Sequence, residues 1–442
     1  MASTRLTKTN TGTITNTKKF TISFWMKRSV ISAAQETVFG SYPSGASNDY
    51  VYFPSGDQLG FFGSISSSQS VYLLTTRVFR DMNAWYHIVI AVDTTQGTAA
   101  DRVKIYVNGT QETAFDQSSY PNSDVEFRLA KASNVQEIGC INNGSHFDGI
   151  LSHFHFVDGT QYAASDFGST DSTTGEWKIN TAPSVTYGTN GFFVLKDGNS
   201  VTDQSGNSNN FTVAAGTLTN TEDCPSNVFP VLNQLNPQAS GYTFDGLGSL
   251  SVTGNTGDAW RTMYATFGAR TGKYYWEQKI TNFTGTDPHY IGIVSEDQMS
   301  NSNIDQATTS RGYFYTATGA KRNNNSQVSY GNSWTTNDIV GIAMDLDNSK
   351  LYFSKNGTWQ DSGDPTSGST GTGAAFTITS GYTYIPATST YYNLNRYDMN
   401  FGNGYFGTTA ISSEGTNASN IGKFEYDVPT GYTALSTKGL NE

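Results

Sequence analysis

The chain has 442 residues, with 26 Lys and Arg against 37 Asp and Glu and a formal net charge of −11. That balance disfavours nucleic acid as a partner, which selects for a basic face, and the length exceeds one ordinary core but is ample for two. With 13% aromatic residues, 14% charged and 45 glycines, the composition excludes a disordered chain and reads as many short strands joined by tight turns.

In chain order, residues 1–168 form the first expected domain. Period-2 alternation predicts strands at 19–28, 37–40, 49–53, 59–63, 71–74, 84–93, 102–107, 137–141 and 149–157, with no amphipathic helix among them. Along the last of these, the alternation puts His153 and His155 on one face. Asn108-Gly109 is the φ > 0 pair of a tight hairpin. Residues 169–240 turn polar and rich in Gly and Asn, with Pro183, Pro225, Pro230 and Pro237. Trp177, Phe192, Phe193 and Phe211 in this stretch need somewhere to pack, so it reads as an ordered connector lying on the sandwiches.

The second domain, 241–405, contains WTTNDIVGIAMDLDNSKLYFSKNGTW from Trp334 to Trp359, which writes strand, turn, strand and turn, with Asn356-Gly357 as its hairpin pair. The same device stands at Trp85 to Thr110, which suggests two sandwiches of one general type. A C-terminal extension, 406–442, carries Phe424, Tyr426, Val428 and Tyr432, consistent with one more strand and a packed end. The fold class is therefore all-β, two jelly-roll sandwiches joined by a loop-rich connector. No run approaches about 18 apolar residues and the N-terminus has no apolar stretch, so neither membrane insertion nor classical secretion is expected. For the same reason Asn108 and Asn356 read as turn residues rather than glycosylation sites. Cys140 and Cys224 lack a CxxC or His partner nearby, and whether they pair stays open.

Catalysis finds little support in the residues. Glycosidic cleavage needs two carboxyls facing one sugar, yet Glu176 and Glu277 have no second acid at strand spacing, while Asp345 and Asp347 end a strand as turn formers. His153 and His155 lack further zinc ligands at motif spacing. A protein that is not an enzyme is the expectation.

FTISFWMK (Phe20 to Lys27), WYHIVIAVD and VKIYVNGT resemble the laminin-G or concanavalin A-like family. GKYYWEQKI (Gly272 to Ile280), YIGIVSED (Tyr290 to Asp297) and the Trp334 to Trp359 run resemble a SPRY domain. The stretch from Phe154 to Phe211 is similar to a cassette found in virion proteins of tailed bacteriophages, especially marine ones. The resemblance implies lectin-like modules on a particle exterior, either head decoration or tail fibre, with other virion proteins and a host surface polysaccharide as partners. It also implies a homo-oligomer, with the trimer favoured by analogy to appendage proteins. No cofactor is expected except calcium, which laminin-G-like sandwiches bind at the sheet rim; the oxygen-rich candidates are Asp93, Asp101, Asp148 and Asp158. Glycan binding is assigned to two rim loops, Tyr42 and Asn48 in one and Asn142, Asn143, His146 and Asp148 in the other, which supply an aromatic face, amides and a carboxylate. In the second domain, the loops expected to display a binding surface carry Tyr313, Tyr315, Trp334 and Trp359, with core packing expected for the two tryptophans. Alternative readings are a spacer or cement protein of the virion, a glycan-degrading tail enzyme, and a peptide-binding SPRY module.

Overall fold

The computed structural model describes residues 3–11, 14–31, 34–196, 200–236, 241–245, 250–254, 259–284, 289–300, 306–391 and 394–441. It is all-β, 45% strand and 6% helix, and divides into two compact units: residues 1–220 with 224–226, and residues 221–223 with 227–442. Residues 169–220 of the expected connector thus belong to the first unit. Among the described residues, no helix is long and apolar enough to cross a membrane, and both cysteines are free.

In the first unit the strands are β1 (Arg5–Thr9), β2 (Lys19–Arg28), β3 (Glu36–Ser44), β4 (Ser47–Phe53), β5 (Gln58–Ile65), β6 (Ser68–Val78), β7 (Tyr86–Asp93) and β8 (Val103–Val107). There follow β9 (Thr110–Gln111), β10 (Phe115–Ser119), β11 (Val135–Ile138), β12 (Gly149–Asp158), β13 (Gly168–Thr170), β14 (Trp177–Ile179), β15 (Phe192–Val194) and β16 (Thr212–Ala215). They build an eight-stranded sheet, β10-β6-β5-β4-β3-β11-β1-β16, and a six-stranded sheet, β15-β12-β2-β7-β8-β9. Alternate side chains from both sheets interdigitate between them: Phe24 and Phe154 stack with centroids 5.0 Å apart, and Phe39 meets Phe154 edge-on at 5.2 Å. Along β12 the register shifts between Ser152 and His155, and His153 takes φ +47°. The run expected to alternate without interruption therefore holds a bulge, which keeps Phe154 and Phe156 in the core.

Segment 160–190 crosses the outer face of the six-stranded sheet, where Phe167, Tyr162, Trp177 and Tyr187 pack on Val89 and Val157. Trp177 lies on the β8–β9 turn, so a Cβ at Gly109 would stand 2.3 Å from its ring. The Trp177 indole N–H donates to Nδ1 of His87 at 3.0 Å, and His87 Nε2 is 2.9 Å from the Ser23 hydroxyl.

The second unit pairs a nine-stranded sheet, whose centre is Lys273–Asn282 between Ile339–Asp345 and Arg396–Asn400, with a six-stranded sheet centred on His289–Ser295. Its core holds Trp276, Trp334, Tyr315 and Phe353. The C-terminal residues Phe424, Val428, Tyr432 and Leu435 join that core, and Thr433–Ala434 pairs in parallel with Tyr274 and Tyr275. Outer faces here are covered as well: Phe424 meets Tyr275 at 5.1 Å on one sheet, and Ala307 packs with Tyr264, Tyr290 and Phe314 on the other.

Candidate functional site

The two rim segments expected to hold a glycan separate along β3. Tyr42 and Asn48 meet at the β3–β4 hairpin, where the Asn48 amide donates to the Gly45 carbonyl at 3.4 Å and the Tyr42 hydroxyl lies 3.0 Å from the Cβ position of Gly45. The His146 end of the other segment attaches at the far end of the strand, where the Thr37 N–H donates to the Ser145 carbonyl and His146 bridges Thr37, while the Asn142 N–H donates to Glu137, the partner of Gly40. Asp148 is placed beyond it, its carbonyl taking the Ser29 N–H. Five residues of strand between Thr37 and Tyr42 amount to about 16 Å. Asn142 and Asn143, at φ +49° and +55°, occupy left-handed turn positions that Asn tolerates better than most residues. The physical reason for asparagine there is thus the backbone.

Three of the four aspartates expected as calcium ligands, Asp93, Asp101 and Asp158, have their carboxylates engaged elsewhere. Asp93 pairs with Lys19 at 3.0 Å and accepts from Thr95 and Gln96; burial opposes its charge, but these donors hold its carboxyl down at about 2. Asp101 pairs with Lys104 at 3.0 Å, and Asp158 accepts from the backbone of Thr15, Asn16 and Asn190. Among the described residues, no three acidic, histidine or cysteine side chains gather as a metal site. The histidines are packing groups: His155 is buried against Phe193 at 3.9 Å with Nδ1 2.8 Å from the Tyr187 hydroxyl, and burial holds its pKa well below the usual value. His87, under Trp177, is lowered to about 3 for the same reason. Tyr313 and Tyr315, expected on loops, lie on strand Gly312–Thr316 and are buried in the core, as is Trp334.

What the rim-loop assignment missed is the outer face of the eight-stranded sheet. Val51, Phe53, Leu59, Phe61, Val71 and Leu73 point inward, so their neighbours on β4, β5 and β6 point out. These are Tyr50, Tyr52, Phe62 and Tyr72, with Tyr42 alongside on β3. Tyr50 is 5.1 Å from Tyr52 and 5.2 Å from Phe62, and Phe62 is 5.7 Å from Tyr72. Burial raises the Tyr52 hydroxyl, which bonds that of Tyr72. Gly60 makes the close packing achievable, since a Cβ there would sit 2.3 Å from the Tyr52 ring. On this face Tyr42, Tyr50, Phe62 and Tyr72 stay partly exposed. At its edge Asn48 is 7% exposed, and its Oδ1 has no hydrogen-bond partner among the described residues. The face therefore offers flat, partly exposed apolar rings, the surface on which a sugar ring stacks. The signal for it was present in the alternation Asn48, Tyr50, Tyr52, but a strand with aromatic residues on both faces reads from sequence as core.

Comparison with known proteins agrees with these two architectures. The family described as "Concanavalin A-like lectin/glucanases superfamily" matches residues 2–165, and the family described as "SPRY domain" matches residues 273–404. Similar curated proteins are ATP-dependent RNA helicase DDX1 of Xenopus laevis, 33% identical over 132 residues, 29% of this chain and 17% of that protein, and ATP-dependent RNA helicase Ddx1 of Drosophila melanogaster, 32% identical over 99 residues, 22% of this chain and 13% of that protein. The chain thus spans less than a fifth of the length of either relative. Among solved structures, the SPRY domain of human HERC1 is 19% identical with TM-score 0.27, over 34% of this chain and 87% of that one. The heptameric SAP-like pentraxin of Limulus polyphemus is 14% identical with TM-score 0.29, over 44% of this chain and 90% of that one. By sequence match and by its strand architecture, this chain carries a concanavalin A-like lectin domain followed by a SPRY domain.

Proposed function

We propose that the protein is a non-enzymatic adhesive component of a tailed-phage particle, exposed as head decoration or as part of a fibre, and that its first domain holds a host-surface glycan on the outer face of the eight-stranded sheet. The observation that carries the adhesive reading is the partly exposed platform of Tyr50, Phe62 and Tyr72. Stacking of a pyranose on such rings with a few hydroxyl contacts corresponds to weak single-site binding, about −4 kcal/mol or millimolar. The non-enzymatic reading is supported by Glu277, which is fully buried and accepts from the backbone N–H groups of Glu425 and Tyr426, the Asn400 amide and the Tyr275 hydroxyl. A carboxylate so engaged holds the C-terminal segment in place. The virion setting is supported by the similarity of Phe154 to Phe211 to the phage cassette and by the acidic composition.

A glycan array probed with the wild-type chain and with Tyr50→Ala plus Tyr72→Ala tests the adhesive site. Binding by wild type that the double variant loses is expected. Equal binding by both retires this face, and binding by neither favours a spacer role. Immunogold labelling of intact particles tests the setting, and labelling of no particle surface would overturn it.

A further inference from the structure

The six-stranded sheet of the second unit ends differently on its two sides. At one end, strand Arg261–Tyr264 is covered: the Asn233 N–H donates to the Tyr264 carbonyl, the Thr266 N–H to that of Val231, and the Asn236 amide to that of Thr262. At the other end, strand Ser326–Ser329 pairs with Ala320–Asn323, and all four of its residues are exposed. It carries no charge and no proline, its pairing has no bulge, and among the described residues it makes no hydrogen bond outside that pair. Sheets ordinarily blunt such an end with charge, proline, a bulge or a covering segment. Register shows what this one offers. Ile291, Tyr315, Lys321 and Val328 are successive partners on the core side of the sheet. Ile291 and Tyr315 lie in the core, whereas Val328, where the row runs past it, is 54% exposed. The Tyr330 N–H turns back to the Gly319 carbonyl, so by alternation the main chain of Val328 faces Lys321, and that of Gln327 and Ser329 faces outward.

A second copy of the chain satisfies this edge. Set antiparallel about a two-fold axis through Val328, the strand joins the outward main chain of Gln327 to that of Ser329 in the other copy, and Ser329 to its Gln327. The same register lays one Val328 against the other on a single face, so the exposed end of the core row is covered by its own equivalent. Charge favours the same occupant: the chain carries a net −11, and at this edge two such copies bring no carboxylate together. We infer that Ser326–Ser329 is a pairing edge at which two copies of the chain join their six-stranded sheets into one continuous sheet. The pairing is two-fold, so it links copies, or larger assemblies of them, in pairs.

Val328→Cys in a Cys224→Ser background of the full chain tests the geometry. With the main chains of 327 and 329 facing outward, the two 328 positions form a non-hydrogen-bonded pair, Cα atoms about 4.5 Å apart and within disulfide range. Mild oxidation is expected to give a disulfide-linked pair, and Val78→Cys in the same background, at a valine 42% exposed in the first unit, is expected to give none. Gln327→Pro tests the association, because the ring removes an N–H that points outward and none of the bonds to Ala320–Asn323. By sedimentation equilibrium the affinity of pairing is expected to fall at least about tenfold in that variant, with the thermal midpoint little changed. Should the midpoint fall, Val328→Lys reads the same association without a backbone change. A Val328→Cys yield no higher than that of Val78→Cys, or pairing that survives Gln327→Pro and Val328→Lys, overturns the inference. A wild-type chain that forms no pairs at the highest concentration reached overturns it as well.

Discussion

Asp49 sits on the inner side of β4 with no exposure, its Oδ2 accepting the backbone N–H groups of Arg128 and Leu129 while Oδ1 has no partner among the described residues. Burial is the largest influence on it and raises its pKa to about 7 from 3.8. The folded chain therefore keeps a proton that the unfolded chain releases, so the contribution of Asp49 to stability is greatest below pH 3.8, declines as pH rises to about 7, and is flat above. Asp49→Asn supplies the neutral form permanently. Its thermal midpoint is expected to exceed that of wild type at pH 8 and to differ little at pH 4, and an unchanged difference between the two pH values would count against this account. Glu277 is likewise pushed up to about 7 by burial, but against four donors. Glu277→Gln leaves an amide facing two of those donors and is expected to cost about 1–3 kcal/mol. The loss should show in denaturant unfolding, together with faster proteolysis within 411–435. From the sequence, Glu277 was legible only as a carboxylate without a catalytic partner, because three of its four donors come from residues more than a hundred positions away.

At the scale of elements, both Asn-Gly pairs form the hairpins their sequences call for. Asn108 and Gly109 have φ of +47° and +79°, and Asn356 and Gly357 have +48° and +77°. Each turn also lies under an aromatic ring brought from a distant segment, Trp177 over Gly109 and Tyr426 over Gly357, with Cβ clearances of only 2.3 and 2.6 Å. Gly109→Val and Gly357→Val are therefore expected to cost more than the roughly 1–3 kcal/mol of backbone strain alone. The excess should shrink when Trp177 or Tyr426 is first cut to Ala, as a double-mutant cycle would measure. Matching losses in both backgrounds would mean that the ring contact adds nothing. The hairpins were readable because a φ > 0 turn is specified by its own residues. The bulge at His153 was not, since an inserted residue declares itself only against the partner strand.

For the whole molecule, a single weak platform becomes useful when several copies engage one surface, so a homo-oligomer, by analogy a trimer, is the expected state. Native mass spectrometry should report it, and a monomer at high concentration would count against avidity as the mechanism. The amino-acid order alone determined the all-β class, the hairpins and the two successive sandwich types, because alternation and turn chemistry act between near neighbours. It also carried each aromatic side chain of the outer platform, but not the platform. Whether a strand's outer side is covered depends on where other segments travel: 160–190 crosses one sheet of the first unit, while Tyr50, Phe62 and Tyr72 on the other stay partly exposed. The alignment of Tyr50, Phe62 and Tyr72 depends on the register of two strand pairings taken together. Only the tertiary structure decides this, because a shift of one residue in either pairing would put a core residue beside Tyr50 or Phe62.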